Sequence, residues 1–121
     1  MIWKLAAALG WTGLILIACT MPGTNLPSPG IVGLDKLVHF ILFAVFGWLW
    51  LSVAPASPGK AVRNVLIAGL LFAGLTEIYQ AMLPYERDPS ALDAAANAAG
   101  LVTGIMSNRL LMRRRPRPSP R

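Results

Sequence analysis

The sequence predicts an all-α fold, a four-helix transmembrane bundle, and three observations lead to this prediction. Of the 121 residues, 55% are hydrophobic and only 13% are charged, against about 25% charged residues in an ordinary soluble domain. A soluble domain of this length could not bury so much apolar surface, because small domains bury a smaller share of their chain. The apolar residues form four continuous runs close to the ~20 residues that a membrane helix needs, without the alternation typical of barrel strands. The length allows one domain.

Proline and glycine separate the predicted membrane-spanning segments. The predicted spans cover about residues 2–21, 37–53, 62–83 and 91–112. The first three spans are followed by prolines, namely Pro22, Pro55 with Pro58, and Pro84. Proline ends helices because it lacks the N–H donor and its ring clashes with the preceding turn. We therefore expect one transmembrane domain over residues 1–112 and a separate tail over residues 113–121.

The first span has an alternative interpretation as a cleaved leader. Leu16-Ile17-Ala18-Cys19 resembles a bacterial lipobox, and it follows a basic residue and an apolar stretch. Cleavage there would leave three spans and a lipidated Cys19. The single lysine that precedes the apolar stretch, Lys4, favours a retained first helix. Because Cys19 is the one cysteine of the chain, no internal disulfide is possible.

The distribution of basic residues predicts the orientation in the membrane. With four spans, nine of the eleven basic residues share the side of both termini, namely Lys4, Lys60, Arg63, Arg109, Arg113, Arg114, Arg115, Arg117 and Arg121. The opposite side holds only Lys36 and Arg87. Since cytoplasmic loops carry the excess of Lys and Arg, both termini are predicted to be cytoplasmic. We therefore expect a multi-pass protein of the bacterial cytoplasmic (inner) membrane.

The C-terminal tail, residues 113–121, is basic and rich in proline. Its predicted role is a disordered cytoplasmic anchor that is attracted to anionic lipid headgroups, at about 1 kcal/mol for each basic residue near the surface. No aromatic stacking platform accompanies these charges, so the sequence does not predict binding to nucleic acid.

Eight polar residues interrupt the apolar sequence, and the topology predicts that they gather at the outer end of the bundle. They are Asp35, Lys36, His39, Glu77, Gln80, Arg87, Asp93 and Asn97. Ionisable side chains in membrane spans are costly and therefore indicate function by default. Three pairs share a helix face by spacing, namely Asp35 with His39, Glu77 with Gln80, and Asp93 with Asn97.

Each of these residues also has a local interpretation. Asp35 is predicted to be a helix N-cap, and Lys36 to extend its ammonium group towards the lipid headgroups. Asp93 fits a capping box that begins at Ser90. Asn97 could simply hold helices together, as polar side chains do in membrane bundles. A structural polar network therefore remains an alternative to a working site.

Glu77 is the deepest of the carboxylates, about 10 Å below the predicted end of its helix at 1.5 Å per residue. It is expected to be protonated or to pair with a cation such as His39 or Arg87. Small residues on the last two spans predict a close approach that would bring Glu77 near Asp93 and Asn97. These small residues are Gly100 and Gly104 on the fourth span, and Gly69, Ala73 and Gly74 on the third.

The order of these motifs resembles the VanZ-like family of small bacterial membrane proteins. The motifs are Asp35-Lys36-x-x-His39-Phe40, Glu77-x-x-Gln80, Arg87, and Asp93-x-x-x-Asn97-x-x-Gly100-x-x-x-Gly104. The resemblance covers roughly residues 31–106. It implies a helical membrane bundle and a link to low-level resistance to teicoplanin, a lipoglycopeptide that acts at the outer membrane face.

Two classes of function follow from the polar residues. In the first, the outer-face cluster acts on a lipid-linked envelope precursor or another amphiphile. His39 and Glu77 would then be an acid–base or proton-relay pair. The predicted binding residues are Asp35, Lys36, Gln80, Arg87, Asp93 and Asn97, with Lys36 and Arg87 receiving an anionic headgroup.

In the second class, the chain is a scaffold or partner-binding protein whose polar cluster is structural. A small proton-coupled transporter is a further alternative. A metal site of His39, Glu77 and Asp93 is chemically possible, but one histidine makes a poor zinc site. No metal or cofactor is therefore expected, while catalysis and the oligomeric state are left open.

Overall fold

The computed structural model describes residues 1–21, 34–54, 57–84 and 91–114, and its regular elements in these ranges are four α-helices. They are α1 (Ile2–Thr20), α2 (Leu34–Val53), α3 (Pro58–Ala81) and α4 (Ala91–Arg113). The predicted all-α, four-helix fold is thereby confirmed. The predictions that concern Arg87, Ser90 and tail residues 115–121 lie outside the described residues.

Two helix starts differ from the sequence prediction. Helix α2 begins at Leu34, so Asp35 lies in the first turn and is not the N-cap as we predicted. A carboxylate in a first turn is still favourable, because it faces the positive end of the helix dipole. Pro58 was expected to help end the second span, but it begins α3, with Ser57 as the N-cap. Proline suits this position because the N–H that it lacks would have no partner in the helix.

Helices α2 and α4 run parallel and side by side. Near their starts, Lys36 pairs with Asp93. Near their ends, Asn108 donates from Nδ2 to the Trp48 carbonyl at 3.0 Å and to Ser52 Oγ at 2.7 Å. The two helices therefore cover the same depth of the bundle from one end to the other.

Helix α1 is parallel to α3, and both run opposite to α2. Thr20 and Tyr79, close to the ends of α1 and α3, have hydroxyl oxygens 3.0 Å apart. At the other end of the bundle, Leu5 at the start of α1 lines one groove with Trp50 near the end of α2. The starts of α2 and α4 and the ends of α1 and α3 thus meet at one end of the bundle, which we call the polar end.

Glycines allow the close approach of α4 to α2. A Cβ added to Gly100 or Gly104 would overlap the carbonyl of Phe40 or Ala44, respectively. The expectation that this glycine pair packs on the third helix was therefore wrong. Contact between α3 and α4 involves a different glycine, because a Cβ on Gly69 would lie 2.6 Å from Leu101 Cδ1.

The core is apolar, and so is much of the outer surface. Phe46 and Phe72 stack with ring centroids 5.2 Å apart, next to the fully buried Leu101. Helix α1 joins this core through Ile15 and Cys19, which fits its interpretation as a helix of the bundle.

Three of the four described helices, α1, α2 and α3, are long and apolar enough to cross a membrane. Their outward side chains are themselves apolar, as at Leu71, Leu75 and Ile78. Helix α4 is comparably long but carries more polar residues, and it buries Asp93, Asn97 and Asn108.

Candidate functional site

Five side chains from α2 and α4 form a cluster at the polar end. They are Asp35, Lys36, His39, Asp93 and Asn97, and we call them the polar cluster. Both helices start at this end, so residues of their first two turns face each other across the interface. The predicted pairing of faces, Asp35 with His39 and Asp93 with Asn97, is confirmed by these contacts.

Lys36 crosses the helix interface to Asp93. Its Nζ lies 3.0 Å from Asp93 Oδ1 and 4.0 Å from Asp35 Oδ2. The Asp93 side chain is only 7% exposed, whereas that of Lys36 is 33% exposed. A buried carboxylate needs a nearby cation to offset its lost hydration. The predicted extension of Lys36 towards the headgroups was therefore wrong, because the ammonium group turns to Asp93.

His39 lies at the centre of the polar cluster and uses its two ring nitrogens differently. Nδ1 is 3.0 Å from Asn97 Oδ1, and because an amide oxygen only accepts hydrogen bonds, this contact is a hydrogen bond when Nδ1 carries the proton. Nε2 faces two carboxylates, 3.6 Å from Asp35 Oδ1 and 3.9 Å from Asp93 Oδ2. Both separations exceed hydrogen-bond length.

Asn97 is fully buried and holds His39 in place. Its Oδ1 accepts from His39, while its Nδ2 has no hydrogen-bond partner among the described residues. A buried donor without an acceptor costs about 1–3 kcal/mol. The amide next to His39 thus has the capacity to donate up to two further hydrogen bonds.

Glu77 and Gln80 lie on α3 towards the same end of the bundle. Gln80 is buried, and Glu77 is partly buried with its Oε1 atom inside the protein. The contacts that define the polar cluster come from α2 and α4, so the pairing of Glu77 with His39 stays a prediction. The roles predicted for Arg87, and for Ser90 as the cap of Asp93, also stay predictions.

Other polar residues were missed by the sequence analysis and bind within the bundle. Asn108 joins α4 to α2 far from the polar end. Trp11 Nε1 donates to the Leu42 carbonyl at 2.9 Å, and Trp50 Nε1 donates to Thr12 Oγ1 at 3.0 Å. An asparagine or tryptophan in an apolar span is the available sequence signal, because each brings a donor that must be satisfied away from water.

The opposite end of the bundle holds an apolar groove of about 640 Å³. Its walls come from α1, α2 and α3, with residues such as Leu5, Trp50 and Phe72, and Asn64 is the polar residue among them. The volume is within the range of small-molecule sites, about 300–1,000 Å³. The described residues that line the groove include no Asp, Glu, His, Lys or Arg, so the polar cluster is the better candidate for chemistry.

The polar cluster combines an accessible rim and a buried floor. Asp35 and Lys36 form the rim, and His39, Asp93 and Asn97 form the floor. Such an arrangement can bind a polar group at the surface of the bundle and exchange hydrogen bonds or charge with it below the surface.

Comparison of the chain with models of protein families, with curated proteins and with solved structures found no match.

Proposed function

We propose that the chain is an integral, multi-pass protein with four membrane spans. The length and apolarity of α1, α2 and α3 support this proposal. Helix α4 is more polar, but it lies along α2 from Asp93 to Asn108 and buries both of these side chains. Polar side chains that face the interior of a bundle are tolerated in membrane spans, because lipid does not contact them. Helix α4 would therefore cross the membrane beside α2.

The charges support an orientation with the polar end outside. The end opposite to the polar cluster carries Lys4, Lys60, Arg63, Arg109 and Arg113. By the positive-inside rule, this basic end faces the cytoplasm. The polar cluster would then lie at the outer surface of a bacterial cytoplasmic membrane, at the level of the lipid headgroups.

The function that the geometry supports best is binding of the polar headgroup of an envelope amphiphile, such as a lipid-linked precursor. The observation that carries this proposal is the graded exposure of the polar cluster. Lys36 and Asp35 are each 33% exposed, whereas Asn97 is fully buried. A headgroup at the rim could pair with Lys36 and reach the Asn97 donor, while its apolar chains remain in the bilayer.

The resemblance to the VanZ-like family adds an expectation about the biological readout. It suggests a change in susceptibility to teicoplanin, which itself carries a lipid chain. The catalytic roles predicted for His39 and Glu77 are kept as hypotheses within this function, because a bound headgroup would lie beside His39.

A structural role for the polar cluster is the second candidate, and the packing of α2 on α4 favours it. The carbonyls of Phe40 and Ala44 touch Gly100 and Gly104 just below the cluster. The bonds from Lys36 to Asp93 and from His39 to Asn97 would then only fix the register of the two helices. A scaffold of this kind would tolerate any substitution that leaves the fold stable.

The test is an envelope assay on a deletion strain. The strain is complemented with the wild-type gene, with Asp93→Asn, or with Lys60→Met as a matched surface control. Lipid composition and teicoplanin susceptibility are then measured. We expect the wild type and Lys60→Met to restore the profile, and Asp93→Asn to fail although the protein is present in the membrane at the wild-type amount. Full restoration by Asp93→Asn would argue for the scaffold.

A further inference from the structure

We propose that Asp35, His39 and Asp93 form a binding site for one divalent transition-metal cation of the zinc class. One ligand atom from each of the three side chains lies within 4.8 Å of the other two. This site depends on the proposed function in one respect only: the polar cluster must lie near the aqueous interface. It differs from the sequence expectation of no metal, because the third side chain grouped with His39 and Asp93 is that of Asp35.

The distances between the ligand atoms are close to those expected around one shared metal ion. Zinc binds histidine nitrogen and carboxylate oxygen at about 2.0–2.2 Å, so ligands around one ion are about 3–3.6 Å apart. His39 Nε2 is 3.6 Å from Asp35 Oδ1 and 3.9 Å from Asp93 Oδ2. These atoms are too far apart for direct hydrogen bonds, and a small inward movement of the carboxylates would bring all three to bonding distance.

The orientation of His39 also suits a metal ligand. Histidines that bind metals generally donate the other ring N–H to an oxygen, which fixes the tautomer and the plane of the ring. The contact of His39 Nδ1 with Asn97 Oδ1 is such a bond when Nδ1 carries the proton, and Nε2 then faces the two carboxylates. Asn97 is fully buried, so it would hold the imidazole in this orientation.

The composition of the polar cluster suits a cation. It contains two carboxylates, Asp35 and Asp93, and one ammonium group, Lys36. Lys36 lies 3.0 Å from Asp93 Oδ1, whereas Oδ2 is the Asp93 oxygen that lies 3.9 Å from His39 Nε2. Lys36 therefore need not leave when the ion binds, and it would orient the carboxylate of a ligand from outside the coordination sphere.

Three protein ligands leave one position of a tetrahedral ion open. That position would take a water molecule or an oxygen of a phosphate or carboxylate headgroup. When the ion is present, His39 acts as a ligand and not as an acid or a base. The choice of metal follows from the ligands, because imidazole nitrogen favours zinc over magnesium.

Metal binding to the purified full-length protein in detergent micelles tests this site. The protein is stripped with a chelator, titrated with Zn²⁺ by calorimetry, and analysed for bound metal after desalting. We expect one Zn²⁺ per chain and a higher melting temperature with Zn²⁺. His39→Asn removes Nε2 but retains an amide that can bond Asn97, and it should weaken binding at least about tenfold.

Two further variants keep the test decisive. Asp35→Asn, at the partly exposed rim, should also weaken binding and abolish the rise in melting temperature, and it serves if His39→Asn fails to fold. Lys60→Met, on the exposed surface at the other end of the bundle, should bind Zn²⁺ as the wild type does. Absence of stoichiometric Zn²⁺, or unchanged binding in Asp35→Asn, would each overturn the assignment. The titration needs no amphiphile, so its outcome is separate from that of the envelope assay.

Discussion

At the scale of single residues, His39 gains its importance from its neighbours. Asn97 bonds one ring nitrogen, and two acids face the other. Lys36 offsets the charge of the more buried acid, Asp93. The pairs Lys36 with Asp93 and His39 with Asn97 each join the two helices, so a change in one of these four residues alters the environment of the rest.

The pair of Lys36 and Asp93 should couple the stability of α2 to that of α4. Lys36→Met leaves Asp93 buried without its 3.0 Å partner, and hydrogen bonds to charged groups contribute about 1.5–3 kcal/mol. We expect the free energy of unfolding in detergent to fall by about this amount, and Asp93→Asn to be less harmful in the Lys36→Met background than alone.

A double-mutant cycle measures this coupling. The exposed Lys60→Met is the control and should change the stability by less than about 0.5 kcal/mol. Additive effects of the two substitutions at positions 36 and 93 would show that the ion pair contributes no coupling between the helices.

At the scale of the helices, the contact of α2 with α4 determines where the polar residues meet. The absence of a Cβ at Gly100 and Gly104 lets the backbone of α2 approach α4. This approach places the first turns of both helices side by side and so assembles the polar cluster. The glycines therefore affect the candidate site without taking part in it.

Gly104→Ala should destabilise the bundle. The new Cβ would overlap the Ala44 carbonyl, which is backbone and cannot rotate away. Overpacking of this kind costs about 1–3 kcal/mol. Gly10→Ala is the matched control, because a Cβ at Gly10 meets nothing within 4 Å, and alanine is the better helix former by up to about 1 kcal/mol.

Thermal unfolding in detergent compares the two alanine variants directly. We expect a lower melting temperature for Gly104→Ala and an unchanged or higher one for Gly10→Ala. Equal melting temperatures in both variants would contradict the close packing of α2 on α4.

The sequence predicted the existence and type of all four helices, because long apolar runs between prolines are a strong local signal. It also predicted which residues share a face, since Asp35 and His39, or Asp93 and Asn97, are one turn apart. It could not show which helices are neighbours. The expected partner of Gly100 was α3, whereas the structure pairs it with α2, and this choice depends on the whole packing arrangement.

For the same reason, the sequence did not show which carboxylates face His39. The predicted distance of Glu77 from the end of its helix made it the favoured partner, but the acids that face His39 are Asp35 and Asp93. The start of α2 at Leu34 is a boundary that sequence patterns locate only within a few residues. That small difference places Asp35 in the first turn of α2 and not at its N-cap.

At the scale of the whole molecule, polarity is divided between the two ends of the bundle. The polar cluster lies at one end, and the apolar groove and most of the basic residues that the structure describes lie at the other. The helices between them expose apolar side chains along their length. This division is expected for a protein that spans a bilayer in a single orientation, with different chemistry available on each side.

We propose that the chain crosses the membrane with the polar cluster at the outer surface, and cysteine accessibility in intact cells is the decisive test of this orientation. In a Cys19→Ser background, Asp35→Cys, Arg87→Cys and Lys60→Cys are treated with a membrane-impermeant thiol reagent. We expect labelling at positions 35 and 87 from outside, and labelling at position 60 only after permeabilisation. Labelling of position 60 in intact cells, without labelling of positions 35 and 87, would rule out this orientation.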